Sequence, residues 1–506
     1  MMYENPDGVM IGLEVHVQLN KLKTKIFCGC ATDYHKDPPN SHVCPVCLGL
    51  PGSLPVINKK AVEAAIKVGL ALNCRIEEYT QFYRKNYYYP DLPKGFQISQ
   101  YDFPIASKGQ IIIEGEDGEL IVRITRAHLE EDPGRLVHEG TIDRSKYTLI
   151  DYNRSGMALL EIVSDPDLRS PKEARRYLDK LRNILEYLDV FDGDLEGALR
   201  VDANISIMGG QRAEIKNISS HKGAERALLF EIVRQKNVVR RGGVVVQETR
   251  HFDEAREITL SMRTKEEAHD YRYFPEPDLM PLKVSGWAPE IKETLPELPD
   301  ARRMRFIKQY GITDDQAKSL TGELVWADYY EQVLKIYENE YGEKLDPKFA
   351  AAWINDYLKG EMNYRGSTLT YAVGKVSHHL IWHEYTVAIL GLLKHEKITD
   401  DNAVIIFRNL LDSPRGGSDW RPVKKAADSA ENYVMRILEE KGLLKVEGDI
   451  VETAAFEAIN ENPQAVADYK AGKEKALNSL VGAVMKKTKG GADARKVREI
   501  LLVKLG

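Results

Sequence analysis

The chain has 506 residues, more than one hydrophobic core organises, so about two to four domains are expected. Its 43% apolar and 29% charged content is that of an ordinary globular protein; no apolar run is long enough to span a bilayer, and MMYENPDGVM lacks the basic-then-apolar pattern of a secretory signal, so a cytoplasmic location is expected. The net charge of −6, from 71 basic and 77 acidic residues, excludes a chain that is basic overall and confines any nucleic-acid contact to local patches.

The first element is Met10 to Leu19, MIGLEVHVQL. Its period of two puts Ile11, Leu13, Val15, Val17 and Leu19 on one face of a strand and Glu14, His16 and Gln18 on the other. A carboxylate beside an imidazole suits a divalent cation or a proton-transfer site; an edge strand with a wet face is the alternative. A loop rich in Pro and Gly follows over 27–52. Asn58 then caps a helix whose stripe is Val62, Ala65, Ile66, Gly69 and Leu70. Tyr79 to Asp102 mixes aromatics with Arg84, Lys85 and Lys94 and is broken by Pro90 and Pro93, which predicts irregular structure with short strands. From about 110 to 165 the runs Ile111–Ile113, Leu120–Ile124, Tyr147–Asp151 and Leu159–Val163 read as β. Ser170, Pro171 and Glu173 open a helix with a capping box, and its stripe runs from Ala174 to Leu188. Strands at Leu199–Ile207 and Ala213–Ile218, a helix near 223–236 and strands around 244–262 come next. The segment Asp270 to Pro281 closes this region. Pro289 to Pro299 reads as a boundary, and beyond it the patterns are almost all helical, ending in two amphipathic helices around a Lys489-Gly490-Gly491 turn.

The strongest chemical signal is cysteine spacing. Cys28-Gly29-Cys30, thirteen residues, then Cys44-Pro45-Val46-Cys47 suits a structural zinc site with four thiolates, with redox dithiols or unliganded thiols as alternatives; Cys74 reads as an isolated buried residue. Glu161 stands inside the apolar run Met157–Val163, where an unpaired carboxylate is costly, so it needs a cation, a donor or a proton. TRAHLEED places His128, Glu130, Glu131 and Asp132 at a strand end, and two later strands carry Arg200, Asp202, Asn204, Glu214 and Lys216 on polar faces. Each is singly explicable as a solvated surface; together they are compatible with one shared site whose acids and imidazole suit magnesium or manganese. No Walker loop, dinucleotide fingerprint or G-x-S-x-G elbow occurs. Arg84-Lys85-Asn86-Tyr87-Tyr88-Tyr89 could grip phosphates and stack on a base, or simply pack. The last 26 residues hold seven basic side chains, including Lys486, Lys487, Lys489, Arg495 and Lys496, against two acids: a nucleic-acid patch or a solvated tail.

IGLEVHVQL at 11–19, RKNYYYPDLPKGFQISQYD at 84–102, ITRAHLEEDPG at 124–134, DYNRSGMALLEIVSDPDLRSPKEA at 151–174, LRVDANISI at 199–207, AEIKN at 213–217, DYRYFPEPDL at 270–279 and GKEKALNSLVGAVMKKTKG at 472–490 together resemble the B-subunit (GatB) family of aspartyl/glutamyl-tRNA(Asn/Gln) amidotransferases. The resemblance implies an α+β chain: a cradle domain around an antiparallel β-sheet over 1–293, with the zinc-binding loop at 28–47, then an all-helical domain over 294–444 and a small helical YqeY-like tail over 445–506 that recognises tRNA. It implies ATP-dependent phosphorylation of the side-chain carboxylate of Glu-tRNA(Gln) or Asp-tRNA(Asn). Amidation follows, with ammonia from an amidase partner, GatA; a small third subunit, GatC, completes the heterotrimer. Carried over residue by residue, magnesium falls to His16, Glu131, Glu161 and Glu214 with Glu14 nearby, Lys85 and Asp202 line the pocket, and the cysteines match the zinc-bearing branch. The related E subunit carries an insertion before its helical region; here DYRYFPEPDL is followed closely by LPELPDARR, leaving no room for one. A zinc-containing tRNA-binding subunit without chemistry of its own, or a stand-alone metal-dependent hydrolase, are the competing readings.

Overall fold

The computed structural model describes residues 5, 7–138, 147–195, 197–263, 271–366, 383–412, 430–446 and 448–505. Asp270, the start of the segment expected to close the N-terminal region, lies outside them. The chain divides into two compact units, residues 1–299 and 300–506. Among the described residues no helix is long and apolar enough to cross a membrane.

The first unit contains strands β1 (Met10–Gln18), β2 (Arg75–Ile76), β3 (Tyr79–Thr80), β4 (Phe82–Asn86), β5 (Phe96–Gln100), β6 (Ala106–Glu114), β7 (Glu119–Glu131), β8 (Arg135–His138), β9 (Thr148–Asp151), β10 (Ala158–Ser164), β11 (Leu199–Ser206), β12 (Ala213–Ile218), β13 (Glu248–Asp253), β14 (Ile258–Arg263), β15 (Phe274–Pro275) and β16 (Leu282–Lys283). Twelve of them form one sheet, in the order β14-β13-β12-β11-β1-β10-β7-β5-β4-β15, with β6 beside β7 and β2 beside β6. The stretch 79–102 thus supplies three short strands, as its mixed pattern predicts. β1 is a central strand, not an edge: its residues Ile11, Leu13, Val15 and Val17 are fully buried.

Helices α1 (Lys59–Ala71), α2 (Pro171–Tyr187), α3 (His221–Arg240) and α4 (Ala288–Glu293) belong to the same unit. Val62 and Ile66 of α1, Tyr177 and Leu181 of α2 and Leu228 of α3 share one core with the inward residues of β1, β7, β10 and β11. The Asn58 side chain caps α1 by accepting from Lys60 N, and Ser170 caps α2 by accepting from Glu173 N. The expected capping box on α2 is only half formed. The Glu173 carboxylate accepts instead from Arg169 N at 2.7 Å and Glu116 N at 3.2 Å, which ties the helix to the β6–β7 turn. The sheet also departs from the antiparallel expectation at one pair: β12 and β13 run parallel. The cause is α3 between them, because a helix-length crossover returns the chain to the same end of the sheet.

The second unit is helical: α5 (Pro299–Tyr310), α6 (Asp314–Thr321), α7 (Leu324–Tyr341), α8 (Pro347–Ala352), a π-helical turn Trp353–Leu358, α9 (Lys359–Tyr364), α10 (His383–Lys394), α11 (Asp400–Asp412), α12 (Ala430–Lys441), α13 (Asp449–Glu461), α14 (Pro463–Lys470), α15 (Lys475–Lys487) and α16 (Ala494–Leu505). Val451, Ala455, Leu477, Leu480, Val484, Val497 and Leu501 form a separate small core among α13, α15 and α16.

Candidate active site

Strand register decides which polar side chains meet. Directly opposed residues of neighbouring strands point to the same face. Glu161 of β10 lies opposite His16 of β1 on one side and His128 of β7 on the other. Glu14 lies opposite Asp202, Asn204 opposite Glu214, and Glu214 opposite Thr249. The odd-numbered residues of β1 fill the core, so this row of acids and imidazoles covers the other face of the sheet. There it borders a cavity of about 240 Å³, lined also by Lys85, Arg126, Lys216, Tyr101, Tyr271 and Tyr273.

Two ligand groups gather here, and all their members except Glu130 line the cavity. His16, Glu130 and Glu161 form one, and Glu14, Asp202 and Glu214 the other; within each, one ligand atom per residue lies within 4.8 Å of the others. His16 Nε2 and His128 Nε2 each stand 3.4 Å from Glu161 Oε2. Burial works against the Glu161 carboxylate, yet the two imidazoles and Lys85 hold it well below the usual range. Burial would likewise depress His16, but its hydrogen bond and attraction to Glu161 raise it to about 9. Burial first, then repulsion from Glu161, pushes Glu130 up, and Glu14 is raised by burial with Glu161, Asp202 and Glu214. Such crowded carboxylates are relieved by a cation, and oxygen donors with one imidazole fit magnesium or manganese.

The cations sit around these groups. Lys216 Nζ is 2.9 Å from Asp202 and 3.6 Å from Glu214. Lys85 Nζ lies 4.9 Å from the centre of the Tyr271 ring. Burial opposes its charge, but Tyr273, Glu130 and Glu161 raise it, so it stays an ammonium. Tyr101 and Tyr273 stack at 4.1 Å. The Lys85 motif therefore both packs its tyrosines and lines the cavity. Arg126, at the mouth, reaches Glu161 only at 4.0 Å.

One carried-over residue does not join the site. Glu131 is on the core face of β7, opposite Ala158. Its carboxylate accepts from Ile98 N at 2.8 Å and pairs with Lys94. Glu130, one residue earlier, takes the place expected for it. Counting by two from His128 would have selected Glu130, since Arg126, His128 and Glu130 share a face. Arg126 and Thr249 are pocket residues that the sequence reading does not single out, and His128, grouped there with the other polar residues of its motif, has no place in the expected ligand set; for Arg126 and His128 the same parity is the available signal.

The four cysteines converge. The Sγ atoms of Cys28, Cys30, Cys44 and Cys47 lie within 4.8 Å of one another. Cys44 Sγ and Cys47 Sγ are 3.8 Å apart, which is about the edge of a tetrahedron with 2.3 Å zinc–sulfur arms. The donor set fits a closed, structural zinc centre. Cys74 is buried elsewhere, against the backbone of Gly109. In the tail, Lys486, Lys489, Arg495 and Lys496 are exposed at the end of α15, the following turn and the start of α16. Lys487 pairs with Glu457 at 2.9 Å and Glu461 at 2.8 Å on α13.

Comparison with known proteins gives two family matches. Residues 9–288 match the model of the GatB/GatE catalytic domain, and residues 328–505 match that of the GatB domain. Proteins named as the B subunit of aspartyl/glutamyl-tRNA(Asn/Gln) amidotransferase are similar over the full length of both chains: that of Methanococcoides burtonii is 63% identical and that of Methanosarcina mazei 60%. The protein of that name from Methanospirillum hungatei is 53% identical over 97% of each chain.

Proposed function

The chain belongs to the family of aspartyl/glutamyl-tRNA(Asn/Gln) amidotransferase B subunits, and from that premise we propose that the sheet cavity is where ATP activates the aminoacyl side chain. It is a subunit of a tRNA amidotransferase, a glutamine-hydrolysing ligase that forms a carbon–nitrogen bond. In the proposed reaction the side-chain carboxylate of Glu-tRNA(Gln) or Asp-tRNA(Asn) attacks the γ-phosphorus of ATP. ADP leaves, ammonia attacks the acyl carbon, and phosphate leaves as the amide forms. The observation that carries this reading is the pair of acidic groups clustered at one cavity beside the half-buried Lys85. A subunit that only bound tRNA would gain nothing from packing five carboxylates together.

His16, Glu130 and Glu161 would hold a magnesium ion, with Glu14, Asp202 and Glu214 able to hold another. Bound there, magnesium supplies charge neutralisation where a phosphate and a carboxylate are brought together. The chain's own groups do the rest. Lys85, charged and fixed against tyrosine rings, receives phosphoryl oxygens; Lys216 keeps Asp202 and Glu214 aligned; Arg126 guards the mouth. A substrate carboxylate is already ionised near pH 7, so no strong base is required, and His16 serves as ligand. The four-thiolate zinc is structural. The ammonia source is the amidase subunit GatA, and GatC completes a cytoplasmic heterotrimer. We divide the chain into a cradle over 1–293, a helical domain over 294–444 and a tRNA-recognition tail over 445–506.

With ammonium salt in place of glutamine and no amidase activity, the complex should form ADP only when misacylated tRNA is present, one ADP per amide. ADP formation that ignores the tRNA would point to a hydrolase, and amide formation without ATP would remove the kinase step from this chain. For the tail, replacing Lys486, Lys489 and Arg495 together by Ala should lower the slope of log affinity for tRNA against log salt by about 2, at roughly 0.7–0.9 per phosphate contact. Lys487→Ala alone should change it little, because that ammonium is already engaged by Glu457 and Glu461. Filter binding across a KCl series reads both.

A further inference from the structure

Lys25 has no place in the chemistry described above, yet it is fully buried. Its Nζ donates to the carbonyl oxygens of His42 at 2.7 Å and Tyr152 at 3.4 Å, and lies 3.7 Å from Cys47 Sγ. Among the described residues no carboxylate pairs with it. A buried ammonium without a countercharge costs several kcal/mol. Zinc held by four thiolates carries a net charge of −2, and a buried dianion is equally unfavourable alone. Each group supplies what the other lacks.

We propose that Lys25 is the countercharge of the four-cysteine zinc centre and that, through it, the centre fixes the segment 151–157 leading into β10 and Glu161. The inference rests on the zinc reading given above. The cysteine loop and this segment are joined at several points. His42 N donates to Asn153 Oδ1 at 2.7 Å, Asn153 Nδ2 to the Pro38 carbonyl at 2.9 Å, and Ser155 Oγ to the Cys47 carbonyl at 3.3 Å. Ile26 N donates to the Gly156 carbonyl at 3.0 Å. Gly156 has a φ of +80°, and a Cβ there would rest against Cys47 and the Lys25 stem, so the turn hugs both. Arg154 in turn donates to the carbonyls of Pro133 at 3.0 Å and Gly134 at 2.7 Å, just past the strand that carries Glu130. Lys25 is thus a positioning residue: it touches a cysteine of the cluster and the backbone of the segment leading into β10, and no reacting atom.

The test uses the full-length chain. Its zinc content is measured first: no zinc at the cysteines would overturn the zinc reading itself. With zinc present, Lys25→Met should release the metal to a chelator about tenfold faster or more, the usual scale for losing a partner of a metal ligand. Lys25→Arg should stay close to the parent. Thermal melting separates an electrostatic role from a packing role. Zinc-loaded Lys25→Met should melt below the zinc-loaded parent, whereas zinc-stripped Lys25→Met should melt at or above the stripped parent, because an unpaired buried charge has gone. A lower melting temperature in both states, or unchanged zinc release, overturns the inference while leaving the zinc reading standing. If Lys25→Met cannot be recovered folded, Lys25→Gln, which can still donate to the carbonyls, is put through the same comparison and judged by the same outcomes.

Discussion

Glu161→Gln is expected to slow single-turnover phosphorylation of Glu-tRNA(Gln) by about three orders of magnitude, roughly 4 kcal/mol of transition-state stabilisation, with tRNA affinity nearly unchanged. The substitution keeps the shape of the side chain and removes its charge. Both imidazoles, His16 and His128, approach the same Glu161 oxygen at 3.4 Å, so that carboxylate organises the metal side of the cavity. Glu130→Gln should act in the same direction, since Glu130 belongs to the same ligand group. Glu131→Gln should behave differently. That carboxylate pairs with Lys94 and accepts from Ile98 N on the core face. Breaking such a buried pair costs about 3–5 kcal/mol, seen as a lower melting temperature, while the chemistry of the protein that remains folded survives. Loss of phosphorylation in Glu131→Gln at full stability, with Glu130→Gln active, would reverse the assignment.

Stripping zinc should be the second large effect. A metal held at a free concentration of about 1,000 times its dissociation constant stabilises the folded state by about 4 kcal/mol. For a unit the size of residues 1–299, that is a fall of about 6 °C in melting temperature. Limited proteolysis should then cut first within 28–47, because that loop has little apolar core of its own. Cys44→Ser or Cys47→Ser should reproduce the shift, whereas Cys74→Ser should leave zinc content untouched, since Cys74 packs against Gly109 away from the cluster. A chain that keeps its melting temperature and proteolysis pattern after zinc removal would show the centre to be dispensable for the fold.

How far the sequence reaches can be judged from particular residues. The alternation of MIGLEVHVQL specifies a strand with Glu14 and His16 side by side, and that pair lies in the cavity. The cysteine spacing alone brings four sulfurs together, because two close pairs on short turns need only one loop closure. Glu161 is legible for another reason: a lone carboxylate in an apolar run demands a partner, and three cationic or imidazole groups surround it. Glu130 and Glu131 look alike in a motif, whereas a strand sends them to opposite faces, so only the parity of β7 tells which of them joins the acids of the cavity face. The meeting of Glu14 with Asp202 and of Glu161 with His128 depends on strand order and register, which arise from long-range pairing that no local window contains. The parallel β12–β13 pair escaped for the same reason, although the helix between the two strands was visible.

Activation through an acyl phosphate can be followed atom by atom. Glu-tRNA(Gln) carrying ¹⁸O in both side-chain carboxylate oxygens is converted to Gln-tRNA(Gln) by the complex with ATP and ammonium salt, and the released phosphate is analysed by mass spectrometry. Phosphorylation of the carboxylate predicts one ¹⁸O in phosphate for each amide formed. Phosphate free of ¹⁸O, with amide formed at the normal rate, would contradict the assignment of this cavity as the site of carboxylate activation.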